Sequence, residues 1–288
     1  MGTRTAPAKI NLALDILGAR PDGYHDLRMI MQTVSLCDTV TMEETAAGFT
    51  LESGGAFSPT GQKSLEQWAA EAFFAAIGRP MPGLRVTLQK VTPAYAGLGG
   101  GSADVAALLR LLREAYAPEL STAELERIGF TVGSDMPFCV RGGTCLAEGR
   151  GEVLTDLTPL PRCWIVLCKP PFGLPTPALF ARVDGADLGK RPDISGMVKA
   201  LEQGDLRGVA CRLGNVFQQV LTAEEGREIA AIQASMIEMG ALGAAMSGSG
   251  PTVFGLFDRR TAAEHCRTVL AETYGQTYLA EPVGTFDF

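Results

Sequence analysis

From Lys9 onward the stretch "KINLALDI" alternates: Ile10, Leu12, Leu14 and Ile16 fall on one side, Lys9, Asn11 and Ala13 on the other. A period of two marks a strand with one buried face. The same alternation recurs in "LRVTLQK", where Leu84, Val86 and Leu88 oppose Arg85, Thr87 and Gln89. Further on, Val105, Leu108, Leu109 and Leu112 recur at helical spacing until Pro118, whose ring forbids continuation. Ser121 with Glu124 three residues on predicts a capped helix that ends near Gly129 or Gly133. The apolar run "MPFCV" reads as a buried strand, and "CWIVLC" as another, beyond the prolines of "TDLTPLPR". Helical patterns follow, and then "GAAMSGSGPTVFGLF", a glycine-rich bend feeding a strand. A helix, "TAAEHCRTVLAETY" with Thr261 as its cap, and a short strand, "TYLAEPV", close the chain. The mixture predicts an α+β fold in two lobes, 1–158 and 159–288, with a site between them.

Hydrophobic residues make up 46% of the 288, ample for a sizeable core. Lys and Arg number 25 against 32 Asp and Glu, a net charge of −7, which argues against nucleic acid as the partner. No run approaches the ~18 apolar residues of a membrane span. The start lacks the basic and apolar regions of a signal peptide, so a cytoplasmic, membrane-free protein is expected. Seven cysteines without a Cys-x-x-Cys pair predict buried reduced thiols.

Between the second alternating strand and the helix that follows lies "PAYAGLGGGSAD", with four glycines in five positions. A connection this tight, entering a helix near Ser102, suits a ligand approached by backbone. Gly97, Gly99, Gly100 and Gly101 can take positive φ, and the first helical turn offers unpaired N–H groups. Phosphate is the natural guest. The nucleotide-hydrolase loop requires Gly-Lys-Ser/Thr at its end, and the dinucleotide fingerprint a glycine at Ser102; neither is present.

Other segments carry chemistry more ambiguously. Lys9 and Asn11 share one strand face, which is either solvated or aimed at a site. "RPDGYHDL" sets a Pro-Asp-Gly turn before Tyr24 and His25, a ring and an imidazole that can stack on a base and read its edge. His25 is equally readable as an ordinary loop histidine. Asp135, between Gly133 and Pro137, is either a turn cap or a general base. The amides of "MSGSGPTVF", with the hydroxyls of Ser247 and Ser249, could contact an anion.

Together, "PAKINL", "AGLGGGSAD", "GSDMPF" and "MSGSGPTVF", in this order and spacing, resemble the GHMP kinase superfamily. "RPDGYHDL" and "GGTCLAEGRGE" are similar to its branch that phosphorylates the 2-hydroxyl of a cytidine-diphosphate-linked methylerythritol in non-mevalonate isoprenoid synthesis. The resemblance implies a ribosomal-S5-like N-terminal lobe and a ferredoxin-like C-terminal lobe. It also implies ATP as co-substrate, Mg²⁺, and a monomer or weak homodimer. Lys9 and Asp135 correspond to the catalytic pair, and Tyr24 and His25, with Asn11, to the holders of the cytidylyl substrate. The ATP loop corresponds to Pro93, Ala94, Tyr95, Ala96, Gly97, Leu98, Gly99, Gly100, Gly101, Ser102 and Ala103, with the Ser102 hydroxyl as a Mg²⁺ ligand. Three departures stand out. Tyr95 occupies a place where small residues are usual, Ala103 replaces a common serine, and "SLEQWAAEAFF" lacks an Asn-Leu pair near the adenine. Homoserine or mevalonate kinase is the nearer rival reading, and Tyr24 and His25 argue against it. A non-catalytic member is the other, and retention of Lys9 and Asp135 argues against that.

Overall fold

The first two strands, β1 (Gly2–Ala19) and β2 (His25–Thr45), pair antiparallel along their whole length around the turn at residues 20–24. Arg20 N–H donates to the Tyr24 carbonyl at 2.7 Å across that turn. The structure is a computed structural model and describes residues 2–54 and 63–286. There follow β3 (Phe49–Ser53), α1 (Leu65–Ala76), β4 (Gly83–Gln89), α2 (Gly100–Tyr116), α3 (Thr122–Phe130), α4 (Met136–Arg141), β5 (Thr144–Gly149) and β6 (Val153–Asp156). Strand β2 is long enough to serve two partners in succession, β5 through Leu27–Gln32 and β4 through Thr39–Thr45. The resulting sheet runs β3-β4-β2-β1, with β6 added beyond β5.

The later half contributes β7 (Trp164–Lys169), α5 (Thr176–Val183), α6 (Ile194–Glu202), α7 (Leu206–Ala210) and β8 (Gly214–Asn215). Then come α8 (Ala223–Glu238), β9 (Gly243–Met246), β10 (Val253–Phe257), α9 (Arg260–Thr273) and β11 (Gln276–Ala280). The second sheet is wholly antiparallel in the order β11-β7-β10-β9. With helices between β7 and β9 and between β10 and β11, that is the ferredoxin-like arrangement. Two segments cross back: β8 adds to β1 in parallel, and the tail after β11 bridges Pro282 to Val34 and Thr285 to Gly142. None of the described helices is long and apolar enough to cross a membrane. All seven cysteines are free thiols, and burial pushes those of Cys139, Cys145, Cys163 and Cys266 up to about 12.

Four expectations are corrected. β1 does not have one apolar face: every residue from Ala8 to Ile16 is buried, because both sides are covered. Register shifts after Pro7, Asn11 and Ile16 break its alternation. Ile10 and Leu12 therefore enter one core cluster, and Leu14 and Ile16 the other. The segment "MPFCV" is the helix α4, whose residues 136–140 are all buried; a short run apolar on every side fits a buried helix as well as a strand. Pro137 fits its first turn, where no N–H partner is required. Helix α9 starts at Arg260 and Arg259 is its cap residue, so Thr261 lies within the first turn. Helix α2 begins at Gly100, ahead of the expected Ser102, and its cap residue Gly99 is left-handed.

Behind the glycine-rich loop sits a buried ionic knot. The fully buried Asp38 of β2 accepts hydrogen bonds from the backbone N–H of Val91 (2.5 Å) and Thr92 (2.7 Å). Lys90 Nζ donates to both Asp38 and Asp104, so one lysine ties the chain entering the loop to the helix leaving it. Asp104 Oδ1 is buried without a hydrogen-bond partner. Burial outweighs the attraction of Lys90 and lifts the Asp104 carboxyl from its ordinary 3.8 to about 7. An acid raised in the folded state favours folding while neutral. This contribution is complete below about pH 4 and is lost as the pH rises through about 7. Thermal unfolding of Asp104→Asn and wild type from pH 5 to 8 should therefore show the Tm difference moving in the variant's favour with rising pH. A pH-independent difference would mean that Asp104 is not the titrating group.

Candidate active site

Lys9 is 4% exposed, and its ammonium lies where three segments meet. Nζ donates to Asn11 Oδ1 at 2.7 Å and stands 3.4 Å from Asp135 Oδ2. Its aliphatic stem runs along Gly99, where a β-carbon would come within 3.0 Å of Lys9 Cγ. A β-carbon at Gly248 would approach Nζ to 3.2 Å. The strand face shared by Lys9 and Asn11 is thus a site wall, and both side chains are buried. Asn11 Oδ1, expected to face the substrate, is occupied by Lys9, and its Nδ2 meets Met29 Sδ at 3.3 Å.

Asp135 is the cap residue of α4 in right-handed conformation, yet its carboxylate caps no helical N–H. Its side chain is 36% exposed, so the carboxylate faces the open side of the site with Lys9 behind it. The turn-cap reading of this residue is therefore set aside, and the carboxylate is left available as a base.

The two glycine bends lock together. Gly97 is left-handed (φ +73°), and a β-carbon there would lie 2.1 Å from the Ser247 carbonyl, so no other residue fits. Ser247 Oγ donates to the Gly97 carbonyl at 2.9 Å and accepts from Asn11 N–H at 3.3 Å. Ser249 Oγ pairs with Thr176 Oγ1 at 2.7 Å. The second bend therefore spends its serine hydroxyls on the protein, and its job is to buttress the first. In the first bend positive φ is confined to Tyr95, Gly97 and Gly99, whereas Gly100 and Gly101 are helical. The N–H groups of Gly100, Gly101 and Ser102 precede the first bond of α2, from Ala103 N–H to the Gly99 carbonyl at 2.8 Å. They are the orphan donors of a 17-residue helix, at the positive end of its dipole. Tyr95 is 69% exposed, and a β-carbon at Gly173 would lie 3.6 Å from its Cβ. The half-exposed Leu65 of α1 lies beside the loop, 4.0 Å from where a β-carbon at Gly101 would sit.

Tyr24 and His25 diverge instead of forming a pair. The Tyr24 ring carries the Arg150 guanidinium at 3.4 Å, with Phe130 5.1 Å from the same guanidinium. His25 stacks on Phe180 (4.6 Å between centroids, 23° between planes), and its Nε2 is 2.6 Å from Asp184 Oδ1. Beside His25 opens a cavity of about 340 Å³, walled by the end of β1 and by residues after α5, with Arg191 at its edge. Arg191 is fixed there by Asp15, 2.8 Å away. Phe180 and Asp184 carried no signal in the sequence, since each lies more than 100 residues from His25. Arg150 lies within the motif "GGTCLAEGRGE", but nothing there signals its partner Tyr24. The expected capping box is present: Glu124 Oε2 accepts from Ser121 N–H at 2.8 Å, which leaves Glu124 to the helix. No group of three or more His, Cys, Asp or Glu able to hold a metal occurs among the described residues.

Residues 64–143 match the GHMP kinases N terminal domain and residues 197–276 the GHMP kinases C terminal domain. A 4-diphosphocytidyl-2-C-methyl-D-erythritol kinase of Pelotomaculum thermopropionicum is 44% identical over 272 residues, covering 92% of this chain and 94% of its own. One from Clostridium tetani is 37% identical over 278 residues, covering 96% and 99%. Among solved structures, a 4-(cytidine 5'-diphospho)-2C-methyl-D-erythritol kinase superposes with a TM-score of 0.82 at 31% identity, over 98% of this chain and all of its own. A homoserine kinase from Cytophaga hutchinsonii shares the fold with a TM-score of 0.74 at 17% identity, over 99% of this chain and 96% of its own. This chain is a small-molecule kinase of the GHMP superfamily, and it belongs to the family of 4-diphosphocytidyl-2-C-methyl-D-erythritol kinases.

Proposed function

We propose that the chain transfers the γ-phosphoryl group of ATP to the 2-hydroxyl of 4-diphosphocytidyl-2-C-methyl-D-erythritol, within isoprenoid-precursor synthesis. The observation that carries this reading is the Lys9–Asp135 pair, 3.4 Å apart, beside the open amides of Gly100, Gly101 and Ser102. Asp135 takes the hydroxyl proton as the oxygen bonds to the γ-phosphorus, and the bridging oxygen leaves with ADP. Lys9, packed behind that carboxylate at 3.4 Å, holds it in place. Phosphoryl transfer asks the protein chiefly for placement and charge neutralisation, and here the donors are main-chain. Segment 93–103 contains no Lys or Arg, so the protein offers no side-chain charge clamp within it. Asp38 and Asp104 behind the loop are engaged by Lys90, and no group of three or more His, Cys, Asp or Glu among the described residues could cage a cation. The partly exposed Ser102 hydroxyl and the phosphates themselves therefore fit Mg²⁺, which would offset phosphate charge.

The cytidylyl end fits the other cluster. Tyr24 carries Arg150 on one ring face and Phe180 carries His25, while His25, set by Asp184, lines the cavity at the β1 end. The second faces of the two rings are the ones proposed for the cytosine base. Arg150 joins this cluster to the acid: it lies on Tyr24, and a β-carbon at the adjoining Gly151 would sit 3.5 Å from the Ser134 carbonyl. Both segments belong to "RPDGYHDL" and "GGTCLAEGRGE", which favour this acceptor over homoserine or mevalonate.

The deciding assay offers the purified protein ATP with the cytidylyl substrate, homoserine or mevalonate. Turnover of the first alone is expected, and preference for either of the others would overturn the assignment. In the same assay Asp135→Asn should lower kcat by about 10²-fold or more while leaving nucleotide affinity intact. Near-normal turnover would remove Asp135 from the role. Phe180→Ala and Tyr24→Ala remove stacking worth about 1–3 kcal/mol each, a rise of roughly 5- to 150-fold in KM for the cytidylyl substrate. KM for ATP should not move, and equal damage to both constants would make this cluster scaffold only.

A further inference from the structure

Arg110 lies in the middle of α2 with 4% of its surface exposed, and its hydrogen bonds all go to main-chain carbonyls, none to a carboxylate among the described residues. Its donors go to three carbonyls. Nη1 reaches Cys139 O at 2.7 Å and Val140 O at 3.4 Å, and Nη2 reaches Thr5 O at 3.4 Å. The first two belong to the last turn of α4, where carbonyls have no helical partner. The third belongs to β1, four residues ahead of Lys9. The face of the guanidinium is covered by the Phe286 ring, 4.3 Å from its centroid. The tail holds that ring in place: Phe286 N–H donates to the Arg141 carbonyl at 3.0 Å, and Gln32 Nε2 to the Val283 carbonyl at 3.0 Å. Gly142 accommodates it, since a β-carbon there would lie 2.7 Å from the ring. Burial lowers the Arg110 pKa to about 10, which still leaves it charged at neutral pH.

A buried guanidinium without a counter-charge is a costly way to fill a core. What it supplies here is one rigid fork shared by three elements: the helix whose N-terminus is the phosphate loop, the helix that starts at Asp135, and the strand that carries Lys9. Helix α4 has six residues, and the Asp135 side chain makes no cap bond of its own. The aim of its carboxylate is therefore the aim of the whole short helix, which is fastened at its far end. We propose that Arg110, covered by Phe286, is the positioning residue that holds the Asp135 carboxylate in register with Lys9 and the loop. This inference rests on the proposed phosphoryl transfer, because a misplacement of about 1 Å at a reacting group can cost about 10²-fold.

The test is a cycle on the full chain with ATP and the cytidylyl substrate, using Arg110→Met, Arg110→Lys and Phe286→Ala, each also in the Asp135→Asn background. Arg110→Met should lower kcat about 10-fold or more, with both KM values within about twofold of wild type. Arg110→Lys should recover part of the loss, and Phe286→Ala should fall between wild type and Arg110→Met. In the Asp135→Asn background the same changes should cost little further, since the group being aimed is gone. An equal loss in both backgrounds overturns the proposal. So does a lowered Tm with unchanged kcat per folded molecule. Should Arg110→Met fail to fold, Phe286→Ala carries the same comparison, because its ring is half-exposed at the chain's end. A wild-type chain inactive on the cytidylyl substrate would instead sink the functional reading on which this one stands.

Discussion

The buried ammonium of Lys9 sets the terms for everything around it. A charge withdrawn from water must be met by acceptors close at hand, or it costs several kcal/mol. Asn11 supplies one from the same strand, and Asp135 supplies a charge from a helix more than 100 residues on. The lysine in turn needs room that glycines leave: a β-carbon at Gly99 would crowd its stem at 3.0 Å from Cγ, and one at Gly248 would approach Nζ to 3.2 Å. Two bends from different halves of the chain are thereby drawn onto one side chain. Strand β1 then has elements packed on both faces, and this is why its residues are buried from Ala8 to Ile16.

The second bend illustrates how a loop of main-chain donors, proposed to hold phosphate, is kept in shape. A loop that binds through amides must hold them still, because side chains cannot compensate for backbone that wanders. Ser247 fixes the Gly97 carbonyl, Thr252 N–H meets the Ala96 carbonyl at 3.3 Å, and Asn215 Nδ2 holds the Met246 and Gly248 carbonyls at 2.8 and 2.7 Å. From behind, Asp38 and Lys90 fasten the loop's entrance to Asp104 at its exit. Polar groups that look like ligand contacts in the sequence are here the scaffold of a contact made by glycines.

How far the sequence foretold this depends on how local each signal is. Alternation gave β4, helical spacing gave α2, and Ser121 with Glu124 gave the capping box, because each depends on neighbours within a few residues. The pairing of Lys9 with Asn11 was equally local. The break in the β1 alternation was not legible, since a bulge is decided by the partner strand and by what covers each face. "MPFCV" deceived for a related reason: a run apolar in every direction carries no period at all. Tyr24 and His25 are adjacent in sequence, but their directions follow contacts with Arg150 and Phe180. No local pattern announces either contact, although Arg150 itself lies in the motif "GGTCLAEGRGE". The motifs resembling the GHMP kinases identified the family and the fold. Which side chain faces ligand and which faces protein needed the contacts.

The distribution of charge explains why the site is built from backbone. The chain carries −7, and both ATP and a cytidine diphosphate are anions, so long-range attraction does not gather the substrates. Cations near the loop are already committed: Lys90 to two aspartates, Arg110 to three carbonyls, Lys9 to Asp135. A free lysine beside the phosphates would compete with Lys9 for the same carboxylate and could hold it in the wrong direction. Amides at a helix start attract phosphate without carrying a full charge, and so leave the acid to one partner. On the proposed reading, the absence of Lys and Arg from segment 93–103 leaves the Asp135 carboxylate to Lys9, with no loop cation to turn it away from the acceptor.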